Sequence, residues 1–248
     1  MPDHNSSMLS KIALNSISVV LPSYNERDNI TEVISRISKA LNTHLHEIII
    51  VDDNSPDETW KVVEELHTKN PKIHLIRRIN EKGLSSALYD GIKAAKGEYI
   101  VWLDCDLGLS PEEIPNLVSQ LTTYDVAIAS RYVKGGKDPR PLFRVILSNM
   151  INAYAISLLG WGVRDYTSGF AAVRRKVFDT ISFSRKGFGE YFIEFAHKAK
   201  KNKFKIIEVP CKYQIRPGGV SKSDGDLKTL FKLGWDYGIK VINVRIGR

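Results

Sequence analysis

The 248-residue chain carries 36 lysines and arginines against 28 acidic residues, a formal net charge of +8, and is 43% hydrophobic. This suits one α/β domain with at most an appendage, and the charge favours phosphate-rich ligands, nucleic acid or an anionic surface. The two cysteines, Cys105 and Cys211, lie far apart and the six histidines form no cluster, which argues against a disulfide framework and for a reducing compartment.

Residues 1–15 lack the apolar core of a signal peptide and read as a polar, frayed tail. Residues 17–21 form a short β run ending at Pro22. The loop Pro22-Ser-Tyr-Asn-Glu26 leads into a helix over about 28–41, striped by Val33, Ile34, Ile37 and Leu41. In that loop Pro22 and Tyr24 offer a floor and a stacking face for a nucleobase, with Glu26 as an acceptor; a plain turn into a helix is the alternative. Residues 47–51 are a second strand, running into Asp52-Asp53-Asn54. Ser55-Pro-Asp-Glu58 has the form of a capping box opening a helix to about residue 68. Asp53 suits a base or ribose edge, unless one of these aspartates caps the helix.

Residues 73–76 are the third strand. Lys82-Gly83-Leu84 opens a helix of small residues (Ser85, Ser86, Ala87, Gly91), with Gly97 as its C′ glycine. The β-α alternation specifies a mainly parallel sheet covered on both faces. Neither a Gly-x-Gly-x-x-Gly fingerprint nor a Walker A motif is present.

Residues 99–103 are continuously apolar, the pattern of a strand buried on both faces, and they deliver Asp104-Cys105-Asp106 to the strand's carboxyl end. Ligands of open α/β sheets bind at that edge. Two carboxylates one residue apart suit Mg²⁺ or Mn²⁺ holding a diphosphate; an ordinary Asx turn is the alternative. Ser110-Pro-Glu-Glu113 reads as a second capping box, with a helix to about residue 123. Residues 126–129 are a strand delivering Ser130-Arg131-Tyr132. Arg131, Lys134, Lys137, Arg140 and Arg144 form either a solvated basic loop or a phosphate-binding arm, since arginine grips two oxygens at once.

The run 145–163 is free of charge, but Ser148, Asn149, Asn152, Ser157 and two glycines favour a buried or interfacial helix over a membrane span. Asp165-Tyr-Thr-Ser-Gly-Phe170 follows. A helix over 189–200 carries Glu190 and Glu194, and a strand covers 204–209. Arg216-Pro-Gly-Gly-Val-Ser-Lys222 is a loop with a cation at each end, suited to closing over phosphates. Residues 227–246 mix Trp235, Ile239 and Ile242 with Lys232, Lys240 and Arg245. That composition suits a helix on a membrane surface, on the domain itself or on a partner. The expected division is a tail over 1–15, a catalytic domain over 16–223 and a basic amphipathic helix over 224–248.

Taken in order, these blocks resemble glycosyltransferase family two, inverting enzymes with the Rossmann-like GT-A fold. More narrowly they resemble the dolichol-phosphate mannose synthases, over about residues 17–223. The resemblance implies mannose transfer from GDP-mannose to dolichyl (polyprenyl) phosphate. It would have Pro22, Tyr24, Glu26, Val51 and Asp53 hold the guanosine, and Asp104 and Asp106 hold Mg²⁺ or Mn²⁺ and the diphosphate beside Cys105. Arg131 would sit at the reaction centre, Arg144 and Ser148 would receive the lipid phosphate with it, and Arg216 and Lys222 would close over the donor. It also implies a peripheral enzyme on the cytoplasmic side of a membrane, docked on lipid or on small membrane-anchoring subunits, with no nucleic-acid partner. The family's alanine is Cys105 here, and Gly108 stands where relatives commonly place a glutamine as a further metal ligand. Open alternatives are UDP-glucose or another donor, a hydroxyl acceptor using Glu190 or Glu194 as base, and a silent scaffold subunit that keeps the fold.

Overall fold

A computed structural model describes residues 8–214 and 227–247. Seven strands form one sheet: β1 (Ile17–Ser23), β2 (Leu45–Asp52), β3 (Ile73–Arg77), β4 (Tyr99–Trp102), β5 (Val126–Ser130), β6 (Ala171–Arg174) and β7 (Ile206–Pro210). Their spatial order is β3-β2-β1-β4-β6-β5-β7. Every neighbouring pair is parallel except those of β6, which runs antiparallel to both β4 and β5. The expected α/β class and mainly parallel sheet are observed. β6 was not anticipated: four residues, two of them alanine, carry little β signal. It is fixed by insertion between β4 and β5.

Among the described residues seven α-helices flank the sheet: α1 (Ile30–Leu41), α2 (Thr59–Lys69), α3 (Leu84–Ala94), α4 (Ile114–Gln120), α5 (Leu142–Leu159), α6 (Tyr191–Lys201) and α7 (Leu227–Ile246). The α1 stripe buries Ile30, Val33, Ile34, Ile37 and Leu41 on one face of the sheet. On the other face Trp102 is fully buried, its ring 5.3–6.4 Å from those of Phe178, Phe183, Phe192 and Phe195.

Three local expectations are corrected. The Ser55 segment is not a capping box. Ser55 bonds back to Asp52, Glu58 adopts φ 63°, and α2 starts only at Thr59, whose N–H donates to Asp57 Oδ1 at 3.0 Å. Gly97 is not a C′ glycine; it lies where a Cβ would come within 2.6 Å of the Ser16 carbonyl, so close approach to β1 requires it. The reading of 1–15 as a frayed tail fails from residue 8 on: Leu9 and Ile12 are buried in the core beneath α1 and β1.

The charge-free run became α5. Asn152, Ala155 and Leu159 are its buried residues. Leu142, Phe143, Ile146 and Met150 are exposed, and only 17% of the helix is buried. Its length and apolar character match those of a membrane-crossing helix, yet one face is docked along the domain and the other open. α7 packs beside α5 and α6. Its Val241 is buried, while Trp235, Ile239 and Ile242 are exposed.

The segment after β4 is pinned from α1. Arg36 grips Glu112 through Nε (2.8 Å) and Nη2 (2.6 Å), and Nη2 also donates to Ser110 Oγ at 3.2 Å. The Arg36 bond, against the opposing effect of burial, holds the Glu112 carboxyl at about 2, below its usual 4.5. A depressed carboxylate stabilises the fold above its unfolded pKa and loses that contribution as pH falls through the folded value. Glu112→Gln should therefore lower thermal stability at pH 7. The gap between variant and parent should close between pH 4.5 and about 2, followed by melts across that range.

Candidate active site

The carboxyl ends of β1, β2 and β4 lie side by side, so their loops share one edge of the sheet. The loops after β1 and β2 are laced together. Asn25 N–H donates to Ser55 Oγ and Glu26 N–H to Thr59 Oγ1, each at 3.0 Å. Asn25 adopts φ 57°, which turns the chain sharply before α1. The result is a cavity of about 890 Å³ lined by Pro22, Tyr24, Glu26, Asp53, Asp104, Cys105, Asp106, Arg131, Arg144 and Ser148. Ten expected residues thus share one space.

Their environments differ. Asp104 is exposed and Asp106 half-buried, whereas Cys105 is buried with its thiol 3.4 Å from the Pro22 carbonyl. Val51 does not line the cavity; it is fully buried within β2 among apolar residues. Asp53 is buried against Arg78, whose Nε donates to Oδ1 at 2.7 Å, and Gly83 N–H donates to Oδ2 at 2.7 Å. Arg78 escaped the sequence reading, because a lone arginine after β3 sits in no motif. Lys82 Nζ lies 5.0 Å over the Tyr24 ring. Arg216 and Lys222 lie outside the described residues.

The opposite wall is built on Asp165. This fully buried carboxylate accepts from Arg131 at three atoms: backbone N (3.0 Å), Nε (2.9 Å) and Nη2 (2.8 Å). Arg131 Nη2 also donates to Thr167 Oγ1 at 2.7 Å. Burial alone would lower the Arg131 pKa, but Asp165 outweighs it and keeps the guanidinium charged. The hydrogen bonds of Arg131 therefore go to protein, while its charge faces the cavity. Arg140 pairs with Asp138 and reaches Ser148 Oγ at 3.2 Å. Arg144 and Ser148 project from the inner side of α5, opposite its open apolar face.

Neither glutamate offered as a base lines the cavity. Glu190 Oε2 accepts from Phe188 N–H at 2.9 Å. Burial would raise the Glu194 pKa, but Lys198 and Lys240 hydrogen-bond it and hold it below the usual range. Burial pushes the Cys211 thiol up to about 12, so it is no nucleophile at neutral pH. Two lining residues, Tyr213 after β7 and Tyr237 on α7, had no sequence signal. Tyr237 also makes α7 part of the site rather than a separate appendage.

Two carboxylates facing buried and semi-buried arginines across one cavity, at the switch edge of an α/β sheet, define a nucleotide-sugar type of site on a GT-A fold. Residues 18–182 match Glycosyl transferase family 2, and the chain belongs to that family of glycosyltransferases. It is 42% identical over 221 residues to the dolichol-phosphate mannosyltransferase of Pyrococcus furiosus, covering 87% of this chain and 61% of that protein. It is 35% identical to the polyprenol monophosphomannose synthase of Mycolicibacterium smegmatis, covering 90% of this chain and 86% of the relative. In structure it is similar to the Mycobacterium tuberculosis glucosyl-3-phosphoglycerate synthase in complex with Mn²⁺, UDP-glucose and phosphoglyceric acid. The TM-score is 0.74 at 21% identity, covering 100% of this chain and 85% of that one.

Removing one partner of a buried pair strands the other charge, at about 3–5 kcal/mol. Asp165→Asn should lower stability by about that amount in urea denaturation. A loss below about 1 kcal/mol would mean that water already screens Arg131.

Proposed function

We propose that the chain transfers mannose from GDP-mannose to a polyprenyl phosphate such as dolichyl phosphate, with inversion, giving a β-mannosyl phosphate lipid. The observation that carries this reading is the two-sided α5. Its inner side turns Arg144 and Ser148 to the cavity, and its outer side exposes Leu142, Phe143, Ile146 and Met150. A phosphate on a long apolar chain fits such a helix: head inward, tail along the open face. The relatives named for dolichol-phosphate and polyprenol mannosylation support the same acceptor. The exposed Trp161 and Trp235 suit the headgroup layer, so the α5–α7 face is assigned to a membrane surface.

On the donor side Pro22, Tyr24, Glu26 and Asp53 border the base pocket. Arg78 fixes Asp53 against Gly83. The residues present fit a hard divalent cation: two carboxylates, one exposed and one half-buried, at a cavity edge. No group of three or more His, Cys, Asp or Glu suited to a metal occurs among the described residues. That favours Mg²⁺ or Mn²⁺, which keep waters and take phosphate oxygens with only one or two carboxylates. When bound, such an ion neutralises charge on the departing diphosphate.

The acceptor oxygen attacks the anomeric carbon in line as the sugar–phosphate bond breaks. A phosphate monoester has its second pKa at about 6, so the nucleophile is already anionic near pH 7. No general base is required, consistent with Glu194 being tied to two lysines. Arg144 and Ser148 receive the acceptor phosphate, Arg131 supplies fixed positive charge behind it, and Arg216 and Lys222 are assigned to the donor phosphates. Catalysis rests on placement and charge neutralisation.

Purified protein with radiolabelled GDP-mannose and a short polyprenyl phosphate should move label into the lipid phase with Mg²⁺ or Mn²⁺ and stop with EDTA. Label passing only from a uridine donor would move the reading to another sugar. Asp104→Ala should lower kcat by about 10²-fold or more with unchanged circular dichroism; near-normal turnover would remove the metal assignment.

A further inference from the structure

Gly108 sits at the carboxylate turn, and its smallness has a spatial cause. Gly108 is not among the residues with positive φ, although its neighbour Leu107 is, at φ 57°. The backbone at 108 therefore admits any L residue. The space does not. A Cβ there would lie 2.6 Å from Tyr213 Oη and 2.9 Å from Asp106 Oδ1. Two oxygens from distant segments converge on the place that a side chain at 108 would fill.

Tyr213 is held in that place from several directions. Its N–H donates to the Lys137 carbonyl at 3.0 Å, and the next residue, Gln214, donates to the Gly108 carbonyl at 2.8 Å. The Arg140 guanidinium lies over its ring, 5.3 Å from the centroid. On the carboxylate side Gly108 N–H donates to Asp106 Oδ1 at 2.7 Å. Tyr213 therefore links the turn bearing Asp104 and Asp106 to the arginine arm, and it does so on the cavity wall.

We infer that Tyr213 is a positioning residue for the cation. Its hydroxyl takes the space left by Gly108 and places a group that both donates and accepts beside Asp106. It sets the orientation of that carboxylate, as outer groups do for metal ligands, and couples it to Arg140. This rests on the donor-site reading above, and it assigns a role to a residue which that reading leaves unused.

The test is Mn²⁺ binding in the presence of GDP, read from the electron paramagnetic resonance signal of the free ion. GDP binding without metal is followed by calorimetry, and fold by circular dichroism. Tyr213→Phe keeps the ring and removes one oxygen. It should weaken Mn²⁺ binding about tenfold or more and leave metal-free GDP binding unchanged. Gly108→Ala, whose methyl displaces the hydroxyl, should weaken it similarly. The double variant Gly108→Ser with Tyr213→Ala returns a hydroxyl from the opposite side, and should bind Mn²⁺ more tightly than Tyr213→Ala alone. Equal Mn²⁺ affinity in Tyr213→Phe and the parent would overturn the inference, leaving the ring as mere filler. Absence of Mn²⁺ binding by the parent protein would instead overturn the metal reading itself, and the inference with it.

Discussion

The buried Arg131–Asp165 pair is the constraint on which one whole half of the molecule depends. A guanidinium removed from water must find its counter-charge and its acceptors inside the protein. Here it finds them on the segment between α5 and β6. Asp165 N–H in turn donates to Glu208 Oε1 of β7 at 2.9 Å. Tyr166 N–H donates to Asn152 Oδ1 of α5 at 2.8 Å. Four elements are thereby tied to one ion pair: β5, α5, β7 and the lead into β6. Through Tyr166, the neighbour of Asp165, the inner side of α5 is held to this segment.

The other half rests on the sheet. Placing β1 between β2 and β4 brings three acidic or polar strand ends to one edge, and the loops there bond to one another rather than to solvent. Those bonds fix the loops after β1 and β2 relative to one another. Asn25, Asn54, Glu58 and Leu107, in the loops that follow these strands, all adopt positive φ, as do Asn15, Asn42 and Lys203 elsewhere.

Much of this was legible in the chain. Short apolar runs marked six of the seven strands, those of β1, β2, β4 and β5 most clearly because nearly all their residues are buried, and a period of 3.6 marked α1. The aspartates at 104 and 106 were legible because a strand end in an α/β sheet is a ligand edge whatever the ligand. The apolar α5 was legible as a helix, and two of its polar interruptions, Ser148 and Asn152, fall on the side that meets the cavity and the domain. Pro22, Tyr24, Glu26, Arg144 and Ser148, which line the cavity, were picked out through ordered motifs. β6 was hidden by its length and its alanines. Leu9 and Ile12 were hidden because the apolar stretch around them, Met8 to Leu14, is too short to show a period.

What the sequence by itself determined is the set of elements and the chemistry at their ends, since burial patterning and strand-end carboxylates are local in the chain. Only the tertiary structure decided how those ends are partnered. It gave Asp53 to Arg78 and Arg131 to Asp165, turned Tyr237 of α7 into the cavity, and filled the space at Gly108 with Tyr213. These pairings join residues far apart in sequence. Packing and the need to satisfy buried charge select them, and neither force leaves a periodic trace along the chain.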